Sequence, residues 1–122
     1  MNQETNFSKF GKTFQEDLCH MVLNDRPFAD QMFEVLDLNF LELKHLRVFI
    51  QKIEEYRTKY GVHPTPNIMH SIVRTGLEGN SESVKVRIRE YYARCLANGQ
   101  EPQSAEYIKD TALDFCKKQK LK

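Results

Sequence analysis

The sequence predicts an all-α protein: a compact four-helix head followed by an antiparallel αα-hairpin. Three observations carry this. Apolar residues recur at helical spacing in six separate runs, start and stop signals divide those runs, and no stretch combines period-two alternation with β-branched enrichment. With 122 residues, 40% hydrophobic and 29% charged, the chain is long enough to bury about two thirds of its unfolded surface.

Residues 1–12 lack periodicity and are expected to form a flexible N-terminal arm. Thr13-Phe14-Gln15-Glu16 matches a capping box, in which the Thr13 hydroxyl accepts from the Glu16 N–H and the Glu16 carboxylate from the Thr13 N–H. A first helix starts there, with Phe14, Leu18, Met21 and Val22 on one stripe, and Asn24-Asp25-Arg26-Pro27 ends it. Pro27 suits the first turn of a second helix carrying Phe28, Met32, Phe33 and Leu36, since its missing N–H costs nothing at that position. Asp37 to Asn39 then turns the chain.

The third helix is the longest, from about Leu43 to Tyr60. Leu46, Phe49, Ile50, Ile53, Tyr56 and Tyr60 fall on its inward face, and Gly61 is its expected left-handed C-terminal residue. Thr65 followed by Pro66 reads as an N-cap with proline at the first helical position, opening a fourth helix that buries Ile68, Met69, Ile72, Val73 and Leu77. Gly76, Gly79 and Asn80 close the head, residues 13–80. Ser81 caps a fifth helix with Val84, Ile88, Tyr91, Tyr92, Cys95 and Leu96 on one face. After the turn at Asn98 to Pro102, Ser104 with Glu106 opens a sixth carrying Tyr107, Ile108, Ala112, Phe115 and Cys116. Two helices of similar length joined by so short a turn read as a hairpin over 81–122. Packed only on each other, they leave apolar surface that must lie on the head or on another chain.

The net charge is +1, but it is unevenly spread. Residues 1–40 hold three Lys or Arg and seven Asp or Glu, net −4, whereas residues 81–122 hold nine and six, net +3. That polarity can orient contacts between copies, and it is too weak for a nucleic-acid surface. Cys19, Cys95 and Cys116 are odd in number, widely spaced and without a Cys-x-x-Cys pair, which speaks against a disulfide framework and a zinc site. A reducing, cytoplasmic home is expected. No apolar run approaches the roughly 20 residues that span a bilayer, and the polar N-terminus is unlike a signal peptide.

Residue types that carry chemistry are sparse. Phe10-Gly11-Lys12-Thr13 has one glycine and follows no strand, unlike a phosphate-binding loop. His63 and His70 flank a proline-rich connector without a cysteine or carboxylate at ligand spacing. Cys95 and Cys116 lie on apolar faces, where a thiol behaves as a small hydrophobe. Tyr91 and Tyr92 stand among Lys85, Arg87, Arg89 and Arg94, a pattern that can stack bases. They also share the apolar stripe with Ile88, which favours core or protein contact. Within Phe33–Phe49, the densest apolar run, Phe40 and Phe49 read as core. His45 reads as a locally hydrogen-bonded residue at the start of the long helix.

The run Met21-Val22-Leu23-Asn24, then Phe28 to Leu36, then Asn39-Phe40 followed by His45 and Phe49, resembles the N-terminal domain of replicative hexameric DNA helicases of the DnaB family. The long helix with Glu55-Tyr56 and Gly61, and the connector with Pro64, Thr65 and Asn67, look closest to the tailed-phage branch. Glu106-Tyr107-Ile108-Lys109-Asp110 is similar to the family's second hairpin helix. Asn39 departs from the family's usual acidic residue, and Leu41 and Leu43 stand where an aromatic and a proline are common. The motif residues are structural: Leu23, Leu36, Phe40, His45 and Phe49.

The resemblance implies a collar domain without catalytic residues, cofactor or metal. ATP and Mg²⁺ would belong to a motor domain reached through a linker after the hairpin. It implies pairing with other copies inside a hexamer, docking of primase and helicase loader, single-stranded DNA as a further candidate partner, and no membrane. The hairpin faces, Val84, Ile88, Tyr91, Tyr92, Ile108, Ala112 and Phe115, are expected to form the two-fold subunit interface, and the acidic first two helices to receive primase or loader. A stand-alone all-α adaptor or regulatory protein that binds a partner helix is the alternative. A helix-turn-helix DNA binder reading with Thr65–Glu78 is disfavoured because that helix offers only Arg74 as a cation.

Overall fold

The structure is a computed structural model that describes residues 6–98 and 104–120. Among these residues are six α-helices, α1 (Lys12–Asn24), α2 (Arg26–Val35), α3 (Lys44–Tyr60), α4 (Pro66–Thr75), α5 (Glu82–Asn98) and α6 (Ala105–Lys120), two 3-10 turns, Phe7–Phe10 and Leu38–Phe40, and no strand. The all-α class is therefore that of the molecule. Local chemistry places most helix ends where the sequence predicts them. The Asp25 carboxylate accepts from the Phe28 N–H at 3.1 Å with Pro27 in the first turn of α2. Thr65 Oγ1 accepts from the Ile68 N–H at 3.2 Å, and Ser81 Oγ from the Val84 N–H at 3.2 Å. Gly61, at φ 73°, ends α3 in the left-handed region with its N–H on the Arg57 carbonyl, a conformation that costs a residue with a Cβ roughly 1 kcal/mol or more.

The start of α1 differs from expectation. Gly11, at φ 91°, precedes the helix and offers no side-chain cap, so Thr13 lies exposed inside the first turn and the capping box does not form. The cause lies upstream. Asn6 Oδ1 accepts from the Ser8 N–H at 2.8 Å and caps the Phe7–Phe10 turn, whose Phe7 is fully buried. The part of the expected arm that is described, residues 6–12, is thus anchored to the core. Residues 1–5 lie outside the described residues. Phe7 packs on Phe115 with ring centroids 5.0 Å apart and edge-on to Phe40 at 6.0 Å, geometries in which aromatic pairs gain beyond simple burial.

The core is one continuous cluster that runs from Phe7 to Cys116. α1 lies at its centre, packed on α2, α3 and α6, and buries eight of its 13 residues. α5 lies on α3 and α4, and α6 lies on α1 and α2. The last two helices consequently do not form a hairpin whose main contact is internal. Each packs on a different pair of the preceding four. Gly76 to Asn80 is a turn within one core. The connection at 99–103 lies outside the described residues.

Three residues read as inward are exposed: Tyr60 at 56%, Leu96 at 53% and Tyr107 at 62%. All sit near helix ends, where the periodic stripe outlasts the neighbour it would pack on.

Candidate functional site

The five motif residues do not meet at one place: Leu36 and Phe40 line a common cleft at the ends of α2 and α6, and Leu23, His45 and Phe49 lie elsewhere in the core. Leu23, 4% exposed, ends the buried face of α1. Leu36 closes α2, its N–H bonded to the Met32 carbonyl. Phe40 stands edge-on to Phe115 of α6 at 5.4 Å, whereas Phe49 faces α5, edge-on to Tyr91 at 5.2 Å. His45 is buried with its ring 6.3 Å from that of Tyr91 and makes no hydrogen bond among the described residues, so the expected local bond is replaced by ring packing. Burial holds its pKa below the ordinary histidine value. Glu16 opposes this, and the positive charges of Arg87 and Arg94 add to it.

Polar groups inside the fold join segments distant in sequence. Gln15, fully buried, accepts from the Glu42 N–H at 2.8 Å and donates to the Gly11 carbonyl and the Glu42 carboxylate, tying the loop before α3 to α1. Its place in the apolar stripe of α1 gives no warning in the sequence, since the partner loop is 27 residues away. Arg57 Nη2 donates to Asp30 at 2.6 Å, and its Nη1 lies 2.9 Å from His63 Nδ1, whose Nε2 is 2.7 Å from the Leu23 carbonyl. Arginine can only donate and a carbonyl can only accept, so His63 carries its proton on Nε2 and accepts at Nδ1. Both ring nitrogens are engaged in this relay between α1, α2 and α3. The described residues contain no group of three or more His, Cys, Asp or Glu that could hold a metal ion.

The three cysteines are buried and free. Burial pushes the Cys95 thiol up to about 11 and the Cys116 thiol up to about 12, and the Cys19 thiol is also raised. They are protonated at neutral pH, where only the thiolate is a nucleophile. Lys12 and Thr13 of the Phe10–Thr13 fragment are exposed on the first turn of α1, with no glycine-rich loop around them.

Compared with family models, curated proteins and solved structures, the chain finds no match in any of the three.

The seven residues expected at a subunit interface are all in the chain's own core. Val84 is 8% exposed, Phe115 6%, and Ile88, Tyr91, Tyr92, Ile108 and Ala112 3% or less. The Tyr91 hydroxyl donates to the Glu16 carbonyl, and that of Tyr92 to the Pro66 carbonyl at 2.8 Å. These seven residues meet α1, α2, α3 and α4 of the same chain, so in the folded chain they are covered from within it. The same burial removes Tyr91 and Tyr92 as base-stacking platforms.

What remains for recognition is the surface. No helix among the described residues is long and apolar enough to cross a membrane. An open cleft of about 570 Å³ lies between the end of α2, the Leu38–Phe40 turn and the end of α6, where Lys120 donates to the Glu34 carbonyl. A second, of about 280 Å³, lies between α3 and α4 beside Tyr56, Tyr60 and Ile72. A third, of about 310 Å³, lies between α4 and α5 and is lined by cations. The sequence shows Arg74 as the one cation of the fourth helix and Lys85 and Arg89 on the fifth, but not their convergence, which depends on how α4 is set against α5.

Proposed function

We propose that this chain is a non-catalytic collar domain of a DnaB-like replicative helicase, a helical scaffold that pairs with its own copies and receives primase and helicase loader during DNA replication. The observation that carries this reading is the likeness of the Met21–Asn24, Phe28–Leu36 and Asn39–Phe49 segments to that family's N-terminal domain. Their roles support it: Leu23, Leu36, Phe40, His45 and Phe49 hold helices together, as expected of a domain whose work is done on its surface. ATP and Mg²⁺ chemistry would belong to the motor of such a helicase. Pairing would use surfaces other than the seven core residues.

Competition tests the proposal. Added in excess to a reconstituted helicase–primase reaction from its own source, the isolated chain should lower primer synthesis and co-elute with primase or loader. Unchanged synthesis together with binding to neither protein would rule the reading out. An adaptor that binds a partner helix is the second reading. It is favoured by Tyr60, 56% exposed at the end of α3, which lines the α3–α4 cleft with Tyr56 and Ile72.

A further inference from the structure

Several arginines of this protein have partners within the chain. Arg57 meets Asp30, Arg94 meets Glu16 at 2.9 Å, Arg26 lies 4.0 Å from Asp30, and Arg47 donates to the Leu41 and Glu42 carbonyls. The cleft between α4 and α5 is different. Its lining is Arg74, Thr75, Leu77, Glu78, Lys85 and Arg89, around a volume of about 310 Å³. Arg74 and Arg89 have no carboxylate within ion-pair distance among the described residues. Lys85 has one partner, Glu82 at 3.5 Å, whose side chain is 83% exposed and therefore held weakly. The Thr75 hydroxyl donates to the Ser71 carbonyl, so recognition of an anion falls to the three cations.

We propose that this cleft docks an acidic segment of a partner protein, with carboxylates about one helical turn apart. Lys85 and Arg89 stand at i and i+4, about 5–6 Å apart at Cβ, and Arg74 faces them from the neighbouring helix, so two carboxylates one turn apart on the partner are matched by three cations. Guanidinium groups bind carboxylates through two parallel N–H···O bonds. The buried Leu77, 2% exposed, gives the cleft an apolar floor that suits the stem of a Glu side chain. A nucleic-acid backbone fits less well. The aromatic residues of α5 point inward to Glu16 and Pro66, leaving no stacking surface in the cleft, and Glu78 on its lining breaks the run of positive charge that a continuous polyanion would follow.

This inference rests on the reading of the chain as a protein-docking domain, and its test separates the two. The probes are a fluorescent 16-residue Ala-rich helical peptide with paired Glu at i and i+4, its Gln counterpart, and a 20-nucleotide single-stranded DNA, each titrated by anisotropy at low and high salt. The acidic peptide should bind the intact chain, weaken as salt rises and lose roughly tenfold or more in affinity to Arg74→Ala/Arg89→Ala, while the Gln peptide should fail to bind. Arg26→Ala, remote from the cleft, should bind as the unaltered chain does, and circular dichroism should show both variants folded. Equal affinity for the double variant, no binding of the acidic peptide, or tighter binding of the DNA that is lost in the double variant would each overturn the proposal. If the double variant still binds primase or loader while losing the peptide, the cleft is assigned and those partners dock elsewhere. If neither partner binds the intact chain, the collar reading fails while the peptide result stands.

Discussion

At the scale of single residues, the polar groups inside the fold have defined jobs, and His45 has the most measurable one. Its ring is buried against Tyr91 and stays neutral in the folded protein to a pH below its ordinary value of 6.5. The unfolded chain protonates the same ring near the ordinary value, so below it the unfolded state holds more protons and stability must fall as pH falls. That loss is complete once the folded-state pKa is passed. Denaturant unfolding between pH 8 and 5 should show declining stability, and His45→Gln should flatten the decline over this range. A His45→Gln protein with an unchanged slope would show that another group controls it. The lowered carboxylates Asp25 and Asp30 act at lower pH, below the ordinary 3.8, so the two windows are separable.

At the scale of elements, Asp25 ties two helices together. It caps α2 through the Phe28 N–H and pairs with Lys109 of α6 at 2.6 Å, both side chains about one-fifth exposed. Burial acts to raise its pKa, but the Lys109 hydrogen bond, the Phe28 N–H and the Lys109 charge outweigh it and leave the carboxyl below the usual range. Asp25→Ala removes the cap and the ion pair and should cost about 1–3 kcal/mol, the cap alone being worth about 1. Asp25→Asn keeps most of the cap and should cost clearly less. Equal losses in urea titrations of the two variants would mean that the cap contributes nothing, and an Asp25→Asn protein as stable as the unaltered chain would mean the same of the bridge. The sequence marked Asn24-Asp25-Arg26-Pro27 as the end of one helix and Pro27 as the start of the next; the cap itself, decided by residues three apart, was not read from it. Nor was the bridge to Lys109, because it spans 84 positions and exists only once α6 lies on α2.

At the scale of the whole molecule, the decisive feature is that α5 and α6 are structural parts of a single core. α1 sits at its centre, and Phe49 and Phe7 are covered by Tyr91, Tyr92 and Phe115. A fragment of residues 1–80 should therefore lack a cooperative unfolding transition and bind a hydrophobic dye. The same logic makes Tyr91→Ala and Phe115→Ala destabilising by about 3–5 kcal/mol, with loss of folded protein rather than dissociation of an oligomer. A 1–80 fragment that unfolds cooperatively, with a chemical shift spectrum like that of the intact chain, would restore the head as an independent unit.

The sequence by itself determined the helical class, the apolar stripes and the ends of α2, α3, α4 and the start of α5, because periodicity and capping are short-range consequences of side-chain spacing. Where the apolar stripe of α5 or α6 finds its cover was not determined, since a stripe that suits a second subunit suits a groove of its own chain equally well. Only the tertiary structure decided that, by placing α5 on α3 and α4 and α6 on α1 and α2. The same placement buried Phe7, engaged His63 on both nitrogens and brought Arg74, Lys85 and Arg89 around one cleft. Each of these depends on distances between helices, which no local pattern encodes.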